Sequence, residues 1–156
     1  MKTYNIFSID EFKTNIAKNS RLLGIDPGAK NIGIAICDEN KVIATPLITL
    51  RMTKFQIFLN EINQIIEENE IKGIIVGNPI NMDGSLGKSA QSVKDVSINI
   101  AKLIDIPVCL WDERLSTVGA FNLSSQLDVN ISKRERDIDK NAAAFILQGA
   151  LDYLNN

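Results

Sequence analysis

The spacing of apolar residues changes character along this chain, and each change marks a new kind of element. Leu22–Asp26, Ile32–Cys37 and Lys41–Pro46 are short apolar runs. The connectors Pro27–Asn31 and Asp38–Asn40 are rich in turn formers. Strands joined so tightly form an antiparallel meander. From Phe55 the period becomes helical, with Phe55, Phe58, Leu59, Ile62, Ile65 and Ile66 on one face. Ile74–Gly77 reads as a short strand, and Asn78–Lys88 as a loop carrying glycines, asparagines and a proline. Val93, Val96, Ile100, Leu103 and Ile104 mark a second helix that starts near Ser89. Pro107–Trp111 is a further strand, and a short helix is expected between Ser116 and Ser124. Leu127–Arg136 is polar and basic, and a last helix is expected from about Asp139 to Leu154.

This order predicts an α/β fold. Three antiparallel strands are followed by parallel additions, giving a mixed five-stranded sheet with helices on both faces. Residues 1–20 read as a polar lead-in with a helical turn or two around Ile9–Ala17, and residues 21–156 as a single domain.

Composition narrows the chemistry. The chain is 45% apolar and 23% charged, which is the balance of a globular protein. Its net charge of −2 argues against coating nucleic acid through bulk charge, while leaving room for local basic patches. It contains no histidine, which excludes Ser-His-Asp and Cys-His catalysis. Cys37 and Cys109 lie in strand-like apolar runs and are expected to be buried thiols. With so few nitrogen and sulfur ligands, ordinary zinc sites are excluded too. Any hydrolysis must use carboxylates, lysines, or a metal held by oxygen ligands. No apolar run approaches the ~20 residues that cross a membrane. The N-terminus lacks the apolar core of a signal peptide, so the cytoplasm is the expected compartment.

Acidic residues fall at the edges of the predicted elements. Asp26 ends the first strand, where Pro27 favours extended backbone and Gly28 permits a tight turn. Alone it could be an ordinary turn aspartate. Asp112 and Glu113 follow Pro107–Trp111, at the strand end where open α/β sheets bind ligands. Alone they could be a solvated strand end paired with Arg114. Asp139 precedes the last helix, where an N-cap is the simplest reading, and Asp137 offers the same explanation. Taken together, carboxylates meeting at one end of the sheet would repel each other unless a divalent cation neutralised them. Oxygen donors of this kind suit magnesium or manganese, as one or two ions, and such sites serve attack of water on a phosphodiester.

Other residues suggest how substrate is held. Met82–Ser89 resembles a P-loop, but methionine stands where its first glycine belongs. Lys88 and the glycines of this loop can still meet a phosphate at a helix start. Arg114, Lys133, Arg134 and Arg136 are the other candidates for nucleic-acid contact, against the alternative of a solvated basic surface. Trp111 could stack a base but is better explained as core.

The segments LLGIDPGAKNIGIAICD, GNPINMDGSLGKSAQ, WDERLSTVGA and SKRERDIDKNAAAFILQGALDYL resemble the YqgF (RuvX) family in order and spacing. That family is similar to RuvC-type Holliday-junction resolvases and has the RNase H-like fold. The resemblance spans nearly everything from Leu22 to Leu154. It implies an acidic triad at Asp26, Glu113 and Asp139, so that Glu113 outranks Asp112 and Asp139 outranks Asp137. It implies a metal-dependent nuclease that matures the 5′ end of the small-subunit ribosomal RNA precursor; structured RNA is the expected partner, and a monomer or weak homodimer the expected form. Cleavage of branched DNA and a non-catalytic nucleic-acid or transcription-complex module are the competing readings. Two positions depart from the family pattern. Asn78 replaces the leucine of a usual Gly-Leu-Pro, and Gly119 replaces an acid that commonly follows the Asp-Glu-Arg motif.

Overall fold

The computed structural model describes residues 5–27, 31–78, 88–112 and 131–155, and within these the side chains of 88–93 and 131–140 are outside the description. The elements are β1 (Ile6–Phe7), α1 (Ile9–Asn15), β2 (Arg21–Pro27), β3 (Asn31–Cys37), β4 (Ala44–Arg51), α2 (Phe55–Asn69), β5 (Ile71–Asn78), α3 (Lys88–Leu103), β6 (Val108–Asp112) and α4 (Ile131–Leu154). The short helix expected between Ser116 and Ser124 falls outside the described residues.

The mixed α/β sheet is as expected, with one more strand. Its order is β1-β6-β5-β2-β3-β4. β2, β3 and β4 form the antiparallel meander, whereas β5 joins β2 in parallel and β6 joins β5 in parallel. The sixth strand is β1, which pairs in parallel with β6 through Ile6↔Val108 and Phe7↔Cys109. Two residues are too few to show an alternating pattern, so this strand is invisible to periodicity. The lead-in helix forms where expected. Its start is fixed by Ser8, whose Oγ accepts from the Glu11 N–H at 3.3 Å and donates to Glu11 Oε1 at 3.1 Å. Ser8 is thus the N-cap, and the side-chain bond to Glu11 steadies its hydroxyl.

Two boundaries differ from expectation. The third strand begins at Ala44 rather than Lys41. Asp38 is the cause: its Oδ1 accepts from the N–H groups of Val42 and Ile43, and its Oδ2 from that of Asn40. Those donors are held in a turn and are lost to the ladder. Led by the Ile43 N–H, the same bonds hold the Asp38 carboxyl below the usual carboxylate range. The last helix begins at Ile131, well before Asp139. Residues 131–138 are too polar to show an apolar stripe, but lysine, arginine and glutamate are good helix formers.

The sheet is sandwiched between two helical layers. On one face Leu23, Ile25, Ile34, Ile74, Val76 and Val108 pack with Phe58, Leu59 and Ile62 of α2 and Ile100 of α3. On the other, Leu22, Ala35, Ile75, Cys109 and Trp111 pack with Phe12 of α1 and the apolar stripe of α4. Strand neighbours thus alternate between the two cores, as the pleat requires. Both cysteines are buried free thiols. Trp111 is also buried and meets Tyr153 edge-on, with ring centroids 5.8 Å apart, so it is core rather than a stacking platform. Among the described residues, no helix is long and apolar enough to cross a membrane.

α4 lies unusually close to β2. A Cβ built on Gly24 would stand 2.8 Å from Leu147 Cβ and 3.1 Å from the Ala143 carbonyl oxygen. Only a residue without a Cβ lets the helix settle at this depth. Gly24→Val is therefore expected to lower stability by about 1–3 kcal/mol through overpacking, read as a fall in the urea midpoint. An unchanged midpoint would refute the close approach. Burial also pushes the Cys109 thiol up to about 12 and raises that of Cys37. Both thiols stay protonated well above neutral pH. At pH 8 a thiol reagent should leave the native protein unlabelled and label two groups once denaturant is added; rapid native labelling would contradict the burial.

Candidate active site at the carboxyl ends of the strands

Three parallel strands end together. The registers Ile25↔Val76 and Val76↔Leu110 align β2, β5 and β6, so Pro27, Asn78 and Asp112 finish at one edge. Open sheets present their ligand sites at this edge. Asp26 is one residue inside it, half-buried. By alternation it shares a face with Leu22 and Gly24, the face covered by α4.

The backbone around Asp26 is bare on both sides. Its antiparallel partner is Gly33. On the parallel side, the residue one step beyond the Ile25↔Val76 pair is Gly77. Neither neighbour has a side chain to fill the space beside the carboxylate. Neither glycine was among the residues expected at the site. Their signal was present, since a glycine inside an apolar strand often marks close approach of a ligand or another backbone.

α4 determines what else reaches this edge. Ala143 and Leu147 sit over Gly24. Farther along the helix, Gln148 accepts from the Ala44 N–H and donates to the Val42 carbonyl, each at 2.9 Å. Asn155 donates to the Lys41 carbonyl at 2.6 Å. Residues 41–44 lie beside the start of β2, because Leu23 pairs with Ile36 and β3 runs antiparallel. The helix therefore runs antiparallel to β2, and its first half lies toward the edge that carries Asp26. Asp139 is one helical turn before Ala143. That is ~6 Å along the axis at 1.5 Å per residue. Asp26 is two residues beyond Gly24, ~6.6 Å along the strand. Asp139 is thus inside a helix, not at its N-cap.

The remaining candidates divide by position. Asp112 belongs by alternation with Val108 and Leu110, on the α2–α3 face, opposite to Asp26. Alternation thus puts the two carboxylates on opposite faces of the sheet. Glu113 and Arg114 directly follow β6 and lie outside the described residues. Lys88 opens α3, and Lys133, Arg134 and Arg136 belong to the first two turns of α4. Among the described residues no three acids, thiols or imidazoles converge, since two of the three candidate acids have undescribed side chains. The donor set is nevertheless restrictive. With no histidine in the chain and both thiols buried and protonated, only oxygen donors remain for a cation at this edge.

Comparison with known proteins agrees with this architecture. The RuvX family model, described as Holliday junction resolvase, matches residues 20–153. A Pelagibacter ubique protein is 61% identical over 151 residues, covering 97% of this chain and all of its own length. A Rhodobacter capsulatus protein is 42% identical over 146 residues, covering 94% of this chain and 92% of its own. Both carry the provisional name of pre-16S rRNA nuclease. Among solved structures, T. thermophilus RuvC in complex with Holliday junction substrate is similar with a TM-score of 0.53 at 12% identity, over 81% of this chain and 91% of that one. The yeast mitochondrial Holliday junction resolvase Ydc2 gives the same TM-score at 12% identity, over 94% of this chain and 84% of its own. These two likenesses concern the fold. The family match and the relatives together show that this chain belongs to the RuvX family.

Proposed function

We propose that this protein is a divalent-metal-dependent nuclease that hydrolyses phosphodiester bonds, with precursor 16S ribosomal RNA as its substrate. The names of its full-length relatives support the reaction and the substrate. The observation that carries the reading is Asp26 itself. It is half-buried at the carboxyl edge of the parallel strands, flanked by Gly33 and Gly77, on the face that α4 covers at Gly24.

The residues fit a hard cation. Asp26, Glu113 and Asp139 offer carboxylate oxygens only, the donors that magnesium and manganese prefer. Asp26 would anchor the metal because it stands on the central strand. Glu113, the residue after Asp112, would complete the oxygen set, and Asp139 would contribute from the helix. When bound, such a cation polarises the phosphoryl oxygen and lowers the pKa of water. The chain's own residues hold the substrate. Lys88, Arg114, Lys133, Arg134 and Arg136 would contact phosphate oxygens and fix the strand's register at the site. The glycines beside Asp26 would let the phosphate approach, and the buried core under the edge limits motion of the carboxylate.

The family description favours a second substrate, branched DNA. A four-way junction is symmetric and calls for paired active sites, hence a dimer on the substrate. The monomeric or weakly dimeric form belongs to the RNA reading.

End-labelled RNA spanning the 5′ maturation region, incubated with magnesium or manganese, should be cut by the wild type. Asp26→Asn, Glu113→Gln and Asp139→Asn should each lose more than about a hundredfold while remaining folded, since even indirect supports of a metal site cost ~10–100-fold. A chelator should abolish cleavage and added cation restore it. Full activity in Asp26→Asn would sink the reading; cutting of a four-way DNA junction in preference to RNA would move the second substrate ahead. Arg134→Ala with Arg136→Ala should raise KM more than it lowers kcat, and should flatten the dependence of binding on salt by about one phosphate contact per residue removed. An unchanged salt slope would remove these arginines from the interface.

A further inference from the structure

A cavity lies at the other end of the sheet from Asp26. It encloses about 300 Å³ between the end of α1, the turn that joins β3 to β4, and the end of α4. Its polar lining is Lys13, Lys18, Lys41, Asn19, Asn40 and Asn155. Among the described residues, no carboxylate lines it.

Lys41 is the unusual member. It is only 8% exposed, which is rare for lysine. The turn holds it there. Its backbone is left-handed, with φ at 57°, a conformation that residues other than glycine seldom adopt. Asp38 ties the N–H groups on either side of it, and Asn155 caps its carbonyl. Its Nζ donates to the carbonyls of Ala17, at 3.2 Å, and of Lys18. An ammonium has three hydrogens, and carbonyls offer it dipoles rather than a full negative charge. A lysine buried only to join two segments would ordinarily meet an acid, because an uncompensated buried cation is costly. Here its surroundings add the amines of Lys13 and Lys18 and the carboxamides of Asn19, Asn40 and Asn155, of which Asn155 already donates to the Lys41 carbonyl.

We propose that this cavity is an anion site that binds a phosphate group, as inorganic phosphate or as the terminal phosphomonoester of a nucleic-acid strand. Lysine serves phosphate as a point charge, and asparagine amides supply neutral donors around it. The volume is at the small end of ligand pockets, which run roughly 300–1,000 Å³. It suits a phosphate with little attached to it. The site is independent of the nuclease edge and does not rest on that reading.

Thermal unfolding of the full chain, with phosphate replacing chloride at constant ionic strength, tests this directly. A ligand that binds only the folded state raises Tm with a saturating dependence on its concentration. Lys41→Met should lose the rise. Lys18→Gln, at an exposed residue that leaves the core intact, should weaken binding about tenfold, the worth of one charge-assisted hydrogen bond. Asp26→Asn should keep the full effect. A 5′-phosphorylated oligonucleotide and its 5′-hydroxyl twin separate the sources. A larger rise with the phosphorylated strand than with its 5′-hydroxyl twin, lost in Lys41→Met, assigns the site to strand ends, and a rise with inorganic phosphate but no difference between the twins assigns it to the free ion. No phosphate-specific rise, or a rise unchanged in both lysine variants, overturns the proposal.

Discussion

The contact of α4 with Gly24 is the constraint from which the remaining geometry follows. With Leu147 Cβ only 2.8 Å from where a Cβ would stand, helix and strand share one fixed depth and one fixed phase. Phase decides which helical residues face the sheet, and depth decides how far the preceding turn stands from the strand end. Gln148 and Asn155 then pin the same helix to the turn between β3 and β4. A small residue at one strand position thus sets the relation between two parts of the chain more than a hundred residues apart.

The same contact also links stability to chemistry. The apolar stripe of α4 completes one of the two cores, with Ala143, Ile146, Leu147, Ala150 and Leu151 buried. The helix that supplies this burial is the helix that bears Asp139. A helix shifted by one turn would displace Asp139 by ~5.4 Å, and would also empty part of the core. Packing and site geometry are therefore selected together. α1 is tied to that core in a similar way, through the Phe12 ring lodged where Gly73 lacks a side chain.

Much of this was legible in the residues because period is a direct consequence of geometry. The antiparallel meander, α2 and α3 all showed in apolar spacing, and Cys37, Cys109 and Trp111 were correctly placed inside. What escaped had physical causes. β1 is too short to display alternation. The first turns of α4 carry helix-forming polar residues without a buried stripe, so Asp139 looked like a cap when it is internal. β4 starts late because Asp38 takes the backbone donors for its turn. The side of the sheet on which an acid lies needs the register, and only the register separates Asp112 from the face of Asp26. The positions of Glu113 and Arg114 fall outside the described residues.

The outer strand β4 carries one more consequence. A free sheet edge invites another chain to dock along it, and this one is bordered by the exposed apolar residues Val42, Ile43 and Ile48. Yet β4 contains Pro46, which has no N–H to offer, and its register slips there, so that Ile34 pairs with Ile48 and Ala35 with Pro46. A visiting strand would find its ladder broken in the middle and the edge twisted away by the bulge. A protein that must remain dispersed among long polyanions has, in one proline and one slipped residue, a barrier against forming fibres with its own kind.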